Sequence, residues 1–378
     1  MFYISYYTTP DDVRASSPAA NAKTLSISKA LVANGINVTI LSTCTVAKSG
    51  KGFVKGRKFP VDKNVNCKQI PFFITRFGPL CRIQYILANI YLFLVLVFCT
   101  KKNENVLFYH AVERASVVAL AQKIRRFRLV LEVEEIYANA SKLSSREIKA
   151  EKRDIACASA FIFPTVMLND VVNSSGKPYA VIHGTYEATA EYPDNSFGDE
   201  KIHVVYAGTL SRLKGGAYAA AEAAQFLDSG YHIHILGFGN DADVSSINDT
   251  IKRVSVKTGC SVTYDGCLAG EEYERFIQKC HIGLSTQNPQ ADFNDTSFPS
   301  KIFTYMSNGL QVVSADIPVV KTSAVNDYMN YYSEQTPEGI AAAIKSVPAT
   351  PSFDPRQVID KLNADFKIDI KTVIQEKI

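Results

Sequence analysis

The sequence lacks the patterns of disulfide-rich, metal-binding and secreted proteins. Its eight cysteines form no Cys-x-x-Cys pair, no short His/Cys spacing indicates a metal site, and the polar start over residues 1–10 carries no signal peptide. Internal repeats and low-complexity tracts are also absent. We therefore expect reduced, mostly buried thiols in a cytoplasmic protein that holds no metal.

The length and composition predict a globular protein of two domains. Hydrophobic residues make up 47% of the 378 residues and charged residues 21%, which excludes intrinsic disorder, coiled coils and collagen-like architectures. Single hydrophobic cores stop growing at roughly 250 to 300 residues, so a chain of this length is expected to divide. The polar octet at residues 192–199 contains Pro193 and Gly198 and predicts a linker between domains over residues 1–190 and 200–350.

Charge is distributed unevenly between these halves. Residues 1–190 carry 25 Lys and Arg against 13 Asp and Glu, whereas residues 191–378 carry 16 against 24. A basic N-terminal half suits an anionic surface such as nucleic acid or a cytoplasmic membrane leaflet, and an acidic C-terminal half would be repelled by both. The basic residues lack an aromatic-interleaved stripe and recognition-helix motifs, so nucleic acid is not the expected partner.

Short apolar runs alternate with helical segments along the whole chain, which is typical of parallel α/β sheets. A first helix is predicted over residues 23–34, where Asn34 and Gly35 stop it. Strands are predicted over residues 2–7, 37–42, 66–71, 105–109, 129–133 and 161–164 in the first half, and over 203–207, 232–236, 261–264, 282–285 and 312–314 in the second.

One nearly uncharged apolar segment, residues 85–100, has two interpretations. It lies between Arg82 and the pair Lys101 and Lys102, and its 16 residues would reach only about 24 Å as a helix, less than a hydrocarbon core of about 30 Å. A buried helix is favoured, and a helix in a membrane interface is the alternative. Nearby, Arg125, Arg126 and Arg128 form a basic cluster that either meets anionic lipid or is a solvated surface.

The first motif with chemical meaning occupies residues 206–216, YAGTLSRLKGG. The predicted strand ends at Ala207, Gly208 permits a turn, and Arg212 and Lys214 follow at the carboxyl edge, where open α/β sheets bind ligands. Two cations so close together suit a diphosphate, because Arg binds oxygens in pairs and Lys supplies a point charge. The alternative is a charged surface turn.

A second motif runs over residues 292–309 and predicts an anion site without needing charge. Ser297 or Ser300 is expected to cap a helix over residues 301–307, with Pro299 in the first turn and Gly309 at the stop. Free N–H groups at such a helix start attract a phosphate.

Together the two motifs resemble the nucleotide-binding domain of GT-B glycosyltransferases of the large family-four group, many of which act in bacterial surface-polysaccharide assembly. The resemblance covers residues 200–350 in order and spacing and is weaker over residues 1–190. The matching residues are Gly208, Arg212, Lys214 and Gly215 in the first motif, and Phe298, Pro299, Lys301, Tyr305, Met306 and Gly309 in the second.

The resemblance implies an α/β fold of two Rossmann-like domains facing a cleft, with the stretch after residue 354 returning to the first domain. It implies a transferase that moves a sugar, with retention, from a nucleotide-diphosphate sugar to a lipid-linked or polysaccharide acceptor, without a cofactor and without an Asp-x-Asp metal motif. Independently of the resemblance, the basic first half, the apolar segment at residues 85–100 and the arginine cluster predict attachment of the first domain to the inner face of a membrane. The implied donor-binding residues are Gly208, Thr209, Gly215, Gly237, Phe238, Thr296, Ser297, Phe298, Pro299, Ser300, Lys301 and Thr304.

The sequence departs from this family at Thr296 and Thr304, where many members carry two glutamates, and at Thr209, where an arginine often follows the glycine. A threonine hydroxyl can bond a ribose but bears no charge, so nucleotide binding is better preserved than sugar choice. In the N-terminal half, residues 14–22 stand where the family has a glycine-rich loop, with alanines and Pro18 in place of glycines.

The resemblance assigns catalytic roles to residues of both domains. His110 ends a predicted strand, and Glu135 follows the end of the next, as the family's active-site histidine and acidic residue do. Arg212 and Lys214, with the amides of residues 297–300, are expected to stabilise the departing diphosphate.

Two other functions remain open. The run Gly237-Phe238-Gly239-Asn240-Asp241-Ala242 fits a loose dinucleotide pattern, but residues 242–248 lack a clear helical stripe and no acidic residue follows for an NAD ribose. A non-catalytic nucleotide-sugar-binding or scaffolding subunit would keep the fold after losing its glutamates. An assay of sugar transfer separates that subunit from an enzyme.

Overall fold

The computed structural model describes the chain except for residues 16, 76, 137–143, 213, 258, 288–296 and 376–378. It forms two compact units, one of Met1–Thr185 with Ala364–Ile378 and one of Tyr186–Asn363. Thr296, one of the predicted donor-binding residues, lies outside the described residues.

Ten strands lie in the first unit. They are β1 (Phe2–Ser5), β2 (Val38–Ser42), β3 (Gly52–Val54), β4 (Lys58–Asp62), β5 (Val65–Gln69), β6 (Phe72–Ile74), β7 (Asn105–Tyr109), β8 (Arg128–Glu132), β9 (Ala160–Phe163) and β10 (Tyr179–Val181). Eight form one sheet in the order β10-β9-β8-β7-β1-β2-β5-β4, parallel except for the β4–β5 pair. The strands β3 and β6 pair separately and antiparallel.

Helices connect and cover these strands. They are α1 (Pro18–Ala33), α2 (Gly78–Cys99), α3 (Val112–Arg125), α4 (Ser145–Ala156) and α5 (Val166–Val172). Buried Leu92 and Leu96 of α2 pack with Phe108 of β7 and Leu131 of β8 in one apolar core. The first helix begins five residues before its predicted start, because Pro18 fits a first turn and Ser17 precedes it in extended conformation.

The apolar helix α2 differs from the favoured interpretation in length and in burial. It begins at Gly78 rather than at residue 85, so Arg82 lies within it, and its 22 residues are long and apolar enough to cross a membrane by length and composition. Only 22% of its most apolar window is buried. One stripe of large apolar side chains is exposed, comprising Ile83, Ile86, Leu87, Ile90, Leu94 and Phe98. The buried-helix interpretation is therefore wrong for this face.

Polar contacts hold α2 against the rest of the unit. Tyr85 donates its hydroxyl to the carbonyl of Glu113 at 2.8 Å, and Arg114 Nη1 donates to Asn89 Oδ1 at 2.9 Å. Gln84 Oε1 accepts from the Phe73 amide at 2.6 Å. The helix thus lies along the surface of a folded unit, with one face tied down and the other open.

The last helix, α12 (Pro355–Gln375), supplies the C-terminal segment of the first unit. Asn34 Nδ2 donates to the carbonyl of Lys367 at 2.8 Å, and Asn105 Nδ2 donates to that of Ile374 at 2.9 Å. Ile370 and Val373 are fully buried. These contacts place residues 364–375 in the packing of the unit formed by residues 1–185.

The second unit holds a six-stranded, fully parallel sheet. Its strands are β11 (Ile202–Thr209), β12 (Tyr231–Phe238), β13 (Ser261–Gly266), β14 (Ile282–Ser285), β15 (Gln311–Ala315) and β16 (Met329–Tyr332), in the order β13-β12-β11-β14-β15-β16. The helices are α6 (Gly216–Ala223), α7 (Asp241–Ser255), α8 (Gly270–Gln278), α9 (Lys301–Ser307), α10 (Pro318–Lys321) and α11 (Pro337–Ser346). Short 3-10 turns occur at Ala224–Phe226 and Asn326–Tyr328.

The linker prediction for this unit is wrong, and one helix is present that the sequence did not indicate. The octet at residues 192–199 is not a free linker, since the Tyr192 amide donates to Gln278 Oε1 at 2.9 Å and the Phe197 ring stacks on His203 at 4.2 Å. Residues 242–248 do belong to a helix, α7. Asn240 caps α7 through the Asp243 amide, and its buried residues, among them Ile247 and Ile251, fall mainly in the later turns. The apolar stripe therefore begins too late to be seen within residues 242–248.

Candidate functional site

The carboxyl ends of β11 and β12 come together at two glycines. Gly208 and Gly237 are register partners in the parallel pair. Gly237 has a φ of +155°, and a Cβ there would lie 1.7 Å from the Gly208 carbonyl oxygen. Only glycine fits position 237, so the two strand ends approach more closely than any other residue would allow.

Gly208 serves a purpose that differs from the predicted one. The strand β11 continues through Gly208 to Thr209, so Gly208 does not form a turn. A Cβ on Gly208 would lie 2.5 Å from Lys301 Cε and 2.8 Å from Lys301 Nζ. The missing side chain therefore leaves room for the end of the Lys301 side chain, which reaches the strand end from the start of α9.

Lys301 is an unusual lysine because it is partly buried beside another cation. Its ammonium lies 5.0 Å from the centre of the Tyr206 ring. Burial, with a further contribution from the charge of Lys214, lowers the pKa of Lys301 from 10.5 to about 8. Among the described residues, neither Lys301 nor Lys214 forms an ion pair with a carboxylate. Two neighbouring cations that have no carboxylate partner in the described part of the chain are well suited to bind an anion.

Arg212 is exposed and is held in place by α7. Its Nε donates to Ser246 Oγ at 2.9 Å, Nη2 donates to the same oxygen at 2.5 Å, and the guanidinium carbon lies 5.0 Å from the centre of the Tyr218 ring. Sequence reasoning missed Ser246, which lies 34 residues away on a helix that was not predicted. The side chain of Arg212 is thus oriented, with the rest of its guanidinium exposed.

The segment between β11 and α6 forms a tight turn. The Thr209 hydroxyl accepts from the Ser211 amide at 3.3 Å, and Gly215 closes the turn at a φ of +67° with its amide donating to the carbonyl of Ser211 at 3.1 Å. Lys214 therefore stands immediately before α6, exposed at the end of the turn. Thr209 contributes to turn geometry, and its side chain is already partly engaged.

The helix α9 forms over the predicted residues but starts without the predicted cap. Ser300 has helical backbone angles, φ −56° and ψ −22°, and its side chain makes no capping bond. A capping residue needs an extended conformation, which Ser300 does not have. With seven residues, α9 also has a small dipole, so Lys301 is the stronger attraction for an anion there.

Aromatic packing fixes the position of α9 against the sheet. The Tyr305 hydroxyl accepts from the Ala207 amide at 2.8 Å, and the Phe298 and Phe303 ring centres are 5.0 Å apart. Thr304 donates its hydroxyl to the Ser300 carbonyl at 3.4 Å and stays partly exposed. Pro299 accepts a bond from the Ile302 amide at 3.1 Å, whereas Ser297 lies partly buried before it.

Phe238 ends β12 with its side chain 65% exposed. Its carbonyl accepts from the Leu210 amide at 3.0 Å, and the carbonyl of its neighbour Gly237 accepts from the Tyr264 hydroxyl at 3.0 Å. An exposed ring on a fixed main chain at the same strand edge as Gly208 offers a surface on which a planar base can stack.

A cavity of about 420 Å³ opens in the first unit near the end of β1. Tyr6, Tyr109 and Glu113 lie along it together with Ala15 and Ser17, which belong to the loop predicted to replace the family's glycine-rich loop. The Tyr6 hydroxyl donates to Glu113 Oε1 at 2.5 Å. Aromatic rings with an oriented carboxylate suit the apolar faces and hydroxyls of a sugar.

The predicted histidine is buried and does not line this cavity. His110 follows β7 directly and is only 2% exposed. Its amide donates to the Glu132 carbonyl at 2.8 Å, and burial lowers the pKa of its ring to about 4 despite the nearby charge of Glu113. His110 is therefore neutral at physiological pH, and almost no part of it reaches a ligand in this conformation.

The predicted acidic residue, Glu135, has a neighbour, Glu132, whose pKa is strongly raised and which sequence reasoning missed. β8 ends at Glu132, so Glu135 lies three residues past the strand and is partly buried. Glu132 accepts a hydrogen bond from the Tyr3 hydroxyl, and burial together with the Glu134 charge raises the pKa of Glu132 to about 8. Lys23 pairs with Glu134 at 2.5 Å. The sequence signal for Glu132 was a glutamate at the end of an otherwise apolar predicted strand.

No protein-family model matches the chain, and no curated protein sequence matches it. Solved structures do. The chain is similar to sucrose-phosphate synthase from Thermosynechococcus elongatus, with 14% identity, 98% of each chain covered and a TM-score of 0.63. It is similar to Anabaena HepE in complex with UDP and glucose, with 13% identity, 100% of this chain and 99% of that chain covered, and a TM-score of 0.63. It is also similar to the UDP-forming α,α-trehalose-phosphate synthase from Burkholderia xenovorans in complex with glucose-6-phosphate. The identity is 10%, the alignment covers 99% of this chain and 98% of that chain, and the TM-score is 0.56. At these identities the likeness establishes the fold, which is the α/β fold of two Rossmann-like units predicted as GT-B.

Proposed function

We propose that the protein is a glycosyltransferase that binds a nucleotide-diphosphate sugar at the carboxyl edge of the second unit's sheet. The observation that carries the proposal is the end of Lys301, which lies in the space left by Gly208 and close to Lys214. Burial, and then the charge of Lys214, lowers the pKa of Lys301, and neither lysine has a carboxylate partner among the described residues. A folded protein accepts such repulsion where an anion neutralises it. HepE, which has this fold, was solved with UDP and glucose.

The chemistry required of this site is stabilisation of a departing nucleoside diphosphate. Lys301 Nζ is held in place beside Gly208 and Tyr206, Lys214 adds an exposed cation next to it, and the exposed guanidinium of Arg212 is oriented by Ser246. Charges that are already in place cost little reorganisation when negative charge develops on the leaving oxygen. Phe238 provides a stacking surface for the base and Thr304 a neutral hydroxyl near α9. Retention or inversion at the sugar is determined separately, from the anomeric configuration of the transfer product.

We further propose that the acceptor is lipid-linked or a growing glycan and that it reaches the 420 Å³ cavity of the first unit. The support is the position of α2, which borders that cavity at two points. Tyr85 of α2 bonds the carbonyl of Glu113, a cavity residue, and Gln84 Nε2 donates to the Thr45 carbonyl at 3.3 Å between the cavity residues Cys44 and Val46. The tied-down face of α2 thus borders the cavity, and the exposed apolar stripe lies on the other face of the same helix. A lipid chain held against α2 would present its head group there.

The charges available for anionic lipid differ from the predicted cluster. Arg125 donates from Nε to the Thr100 carbonyl at 3.1 Å, and Arg128 donates to Asn105 Oδ1 at 3.2 Å, so both guanidinium groups bind within the unit. Arg126, Lys101 and Lys102 are exposed, and the Asn103 amide donates to the Arg126 carbonyl at 3.0 Å, which brings these three residues together where α2 ends. The basic patch that supports peripheral attachment is therefore Lys101, Lys102 and Arg126.

Sugar transfer is the test of the enzyme. Purified protein is incubated with UDP-glucose and a panel of other nucleotide sugars, with and without membrane lipid extract, and released nucleoside diphosphate is measured. Release that depends on the extract supports a lipid-linked acceptor, and release that depends instead on added sugar phosphate supports a soluble one. Tight nucleotide-sugar binding without any release identifies the non-catalytic subunit.

Membrane attachment has its own test. Vesicles containing phosphatidylglycerol should bind the protein at low salt and release it as salt rises, because the electrostatic part of the attraction is screened over about 10 Å at 0.1 M. Leu87→Glu or Leu94→Glu on the α2 stripe should abolish binding. Ile368→Glu on α12 is the matched control, since that side chain is also exposed but lies elsewhere on the unit. Equal binding by all variants would refute the assignment of α2 as the membrane face.

A further inference from the structure

Three histidines meet at the amino end of the second unit's sheet, at the opposite edge from Gly208. His203 is the second residue of β11, and His232 and His234 are the second and fourth residues of β12. His203 and His232 are register partners, so all three side chains lie on one face. One ring nitrogen from each lies within 4.8 Å of the others.

Two of the three rings are oriented by carboxylates. Asp199 Oδ1 lies 2.7 Å from His203 Nε2, and Asp265 Oδ2 lies 3.0 Å from His234 Nδ1. The nitrogens that remain, His203 Nδ1 and His234 Nε2, face each other at 2.9 Å. When both carboxylates accept an N–H from their ring, both facing nitrogens present lone pairs. Such an arrangement is stable when a cation lies between them.

The third ring is oriented through Thr263. The Thr263 hydroxyl donates to Asp265 Oδ2 at 2.8 Å, so its oxygen is left to accept from His232 Nε2 at 3.0 Å. This assigns the N–H of His232 to Nε2 and leaves the lone pair on Nδ1. Each histidine therefore has one nitrogen engaged by an outer acceptor and one available, which is the usual outer-shell arrangement of metal-binding histidines.

We propose that His203, His232 and His234 form a site for a divalent transition metal of the zinc class, with water in the fourth position. Imidazole nitrogens suit Zn²⁺, Co²⁺, Ni²⁺ and Cu²⁺, and three of them from two strands make a preformed face. Zn–N bonds of about 2.0 to 2.1 Å imply nitrogens roughly 3.3 Å apart in a tetrahedron. The His232 and His234 rings stack with their centres 3.9 Å apart, so His232 must rotate out of this stack to bind the metal with the other two.

The surroundings are consistent with this role. His203 and His234 are each 2% exposed, whereas His232 and Asp265 are partly exposed and provide a route from solvent. The Phe197 ring stacks on His203 at 4.2 Å and on His234 at 4.8 Å, and so covers the cluster.

The site is separate from the proposed donor site and does not depend on it. β11 carries His203 near its start and Gly208 near its end, five residues further, which is about 16 Å along a strand. A metal here would tie the start of β11 to β12 and, through Asp199 and Asp265, to the segments on either side. Its role would be to stabilise the second unit and not to take part in sugar transfer.

The experiment titrates Co²⁺ into metal-free full-length protein and follows absorption between 500 and 700 nm, which reports tetrahedral nitrogen ligation. To remove thiol ligands, the exposed Cys81, Cys99 and Cys267 are first replaced by serine. We expect one equivalent of Co²⁺ to bind, to be displaced by Zn²⁺, and to raise the midpoint of thermal unfolding. His234→Gln should abolish the spectrum.

A second variant keeps the result interpretable if His234→Gln does not fold. Asp199→Asn removes only an outer partner at the surface, and such losses lower metal affinity by about 10- to 100-fold. Asp194→Asn is the matched control, because Asp194 lies in the same segment but pairs with Lys279 at 2.7 Å. Unchanged affinity in Asp199→Asn, or equal loss in both variants, would overturn the proposal, as would the absence of a one-equivalent endpoint in the parent protein.

Discussion

Lys301 and Gly208 share one small volume at the end of β11. The lysine end occupies the space that a Cβ on residue 208 would fill, at 2.5 Å from Cε and 2.8 Å from Nζ. Matching glycine to lysine in this way keeps a charged group partly buried next to Lys214. The pair therefore costs the fold stability, and that cost is explained if the two lysines bind an anionic ligand.

Replacing the two strand-end glycines should separate binding from stability. In Gly208→Ala the new methyl meets the flexible end of Lys301 and, at 3.2 Å, the Tyr206 hydroxyl, so its three nearest atoms all belong to side chains. We therefore expect a folded protein with UDP binding weakened about tenfold. In Gly237→Ala the methyl would lie 1.7 Å from the Gly208 carbonyl oxygen. This variant should therefore unfold at a clearly lower urea concentration than Gly208→Ala. Similar urea midpoints for the two variants would contradict this distinction.

Lys301→Met should improve stability while removing function. A folded-state pKa near 8, below the ordinary 10.5, means that the charged form is penalised in the fold at every pH below about 8. A methionine of similar length carries no such penalty, so thermal unfolding should shift upward by about 2 to 4 °C. Calorimetry measures the shift, and loss of UDP binding in the same variant completes the expected result. A lower melting temperature would show that Lys301 supports the fold.

UDP affinity should fall as pH rises through about 8. Free protein loses the Lys301 proton around that pH, whereas a bound diphosphate holds the proton on. Below pH 7 the affinity contributed by Lys301 is complete, and between pH 8 and pH 10 it should decline by up to tenfold per unit. Isothermal titration at several pH values tests this. In Lys301→Met the same titration should show little dependence over that range.

Lys214→Ala should weaken UDP binding by about 10- to 100-fold, since a charge-assisted contact contributes roughly 1.5 to 3 kcal/mol. Uridine lacks phosphates and should bind the variant nearly as well as the parent. Thr304→Ala removes at most one neutral bond and should cost less than Lys214→Ala. If uridine and UDP lost affinity equally, Lys214 would support the fold and not the phosphates.

Glu132→Gln should make the protein less sensitive to alkaline pH. Burial raises the pKa of Glu132 to about 8, so between about pH 4.5 and 8 the folded state holds a proton that the unfolded state has lost. The free energy of unfolding that protonated Glu132 contributes at low pH is therefore lost as pH rises from about 4.5 to 8. Glutamine keeps the shape without the proton, and its unfolding midpoint in urea should exceed that of the parent at pH 8. A matched loss at both pH 5 and pH 8 would argue against a protonated Glu132.

Sequence patterns predicted the long buried strands well, because runs such as residues 105–109 and 203–207 are apolar on both faces. Five short strands were missed, since each has exposed or half-exposed residues and β4 contains Pro60. They are β3, β4, β6, β10 and β16. The start of α2 was misplaced because Arg82 was taken as a boundary, although its position on a helix with an open face carries no penalty.

The site could be predicted by residue type but not by contact. Lys301, Lys214 and Arg212 were singled out in advance, whereas the fit of Lys301 against Gly208 and the bond from Arg212 to Ser246 join residues far apart in sequence. The His232 and His203 pair had a faint signal, because two predicted strands both begin with histidine. Rules based on local sequence spacing cannot detect residues that meet across neighbouring strands.

The division of α12 between the units sets the order in which the protein can finish folding during synthesis. Residues 186–363 form one uninterrupted stretch, whereas the first unit needs residues 364–375, whose carbonyls accept from Asn34 and Asn105. On the ribosome the first unit is therefore begun first and completed last, after the second unit has emerged. Until then the first unit lacks its last helix. In nascent chains stalled before residue 364, the surface that this helix covers should be exposed to chaperones.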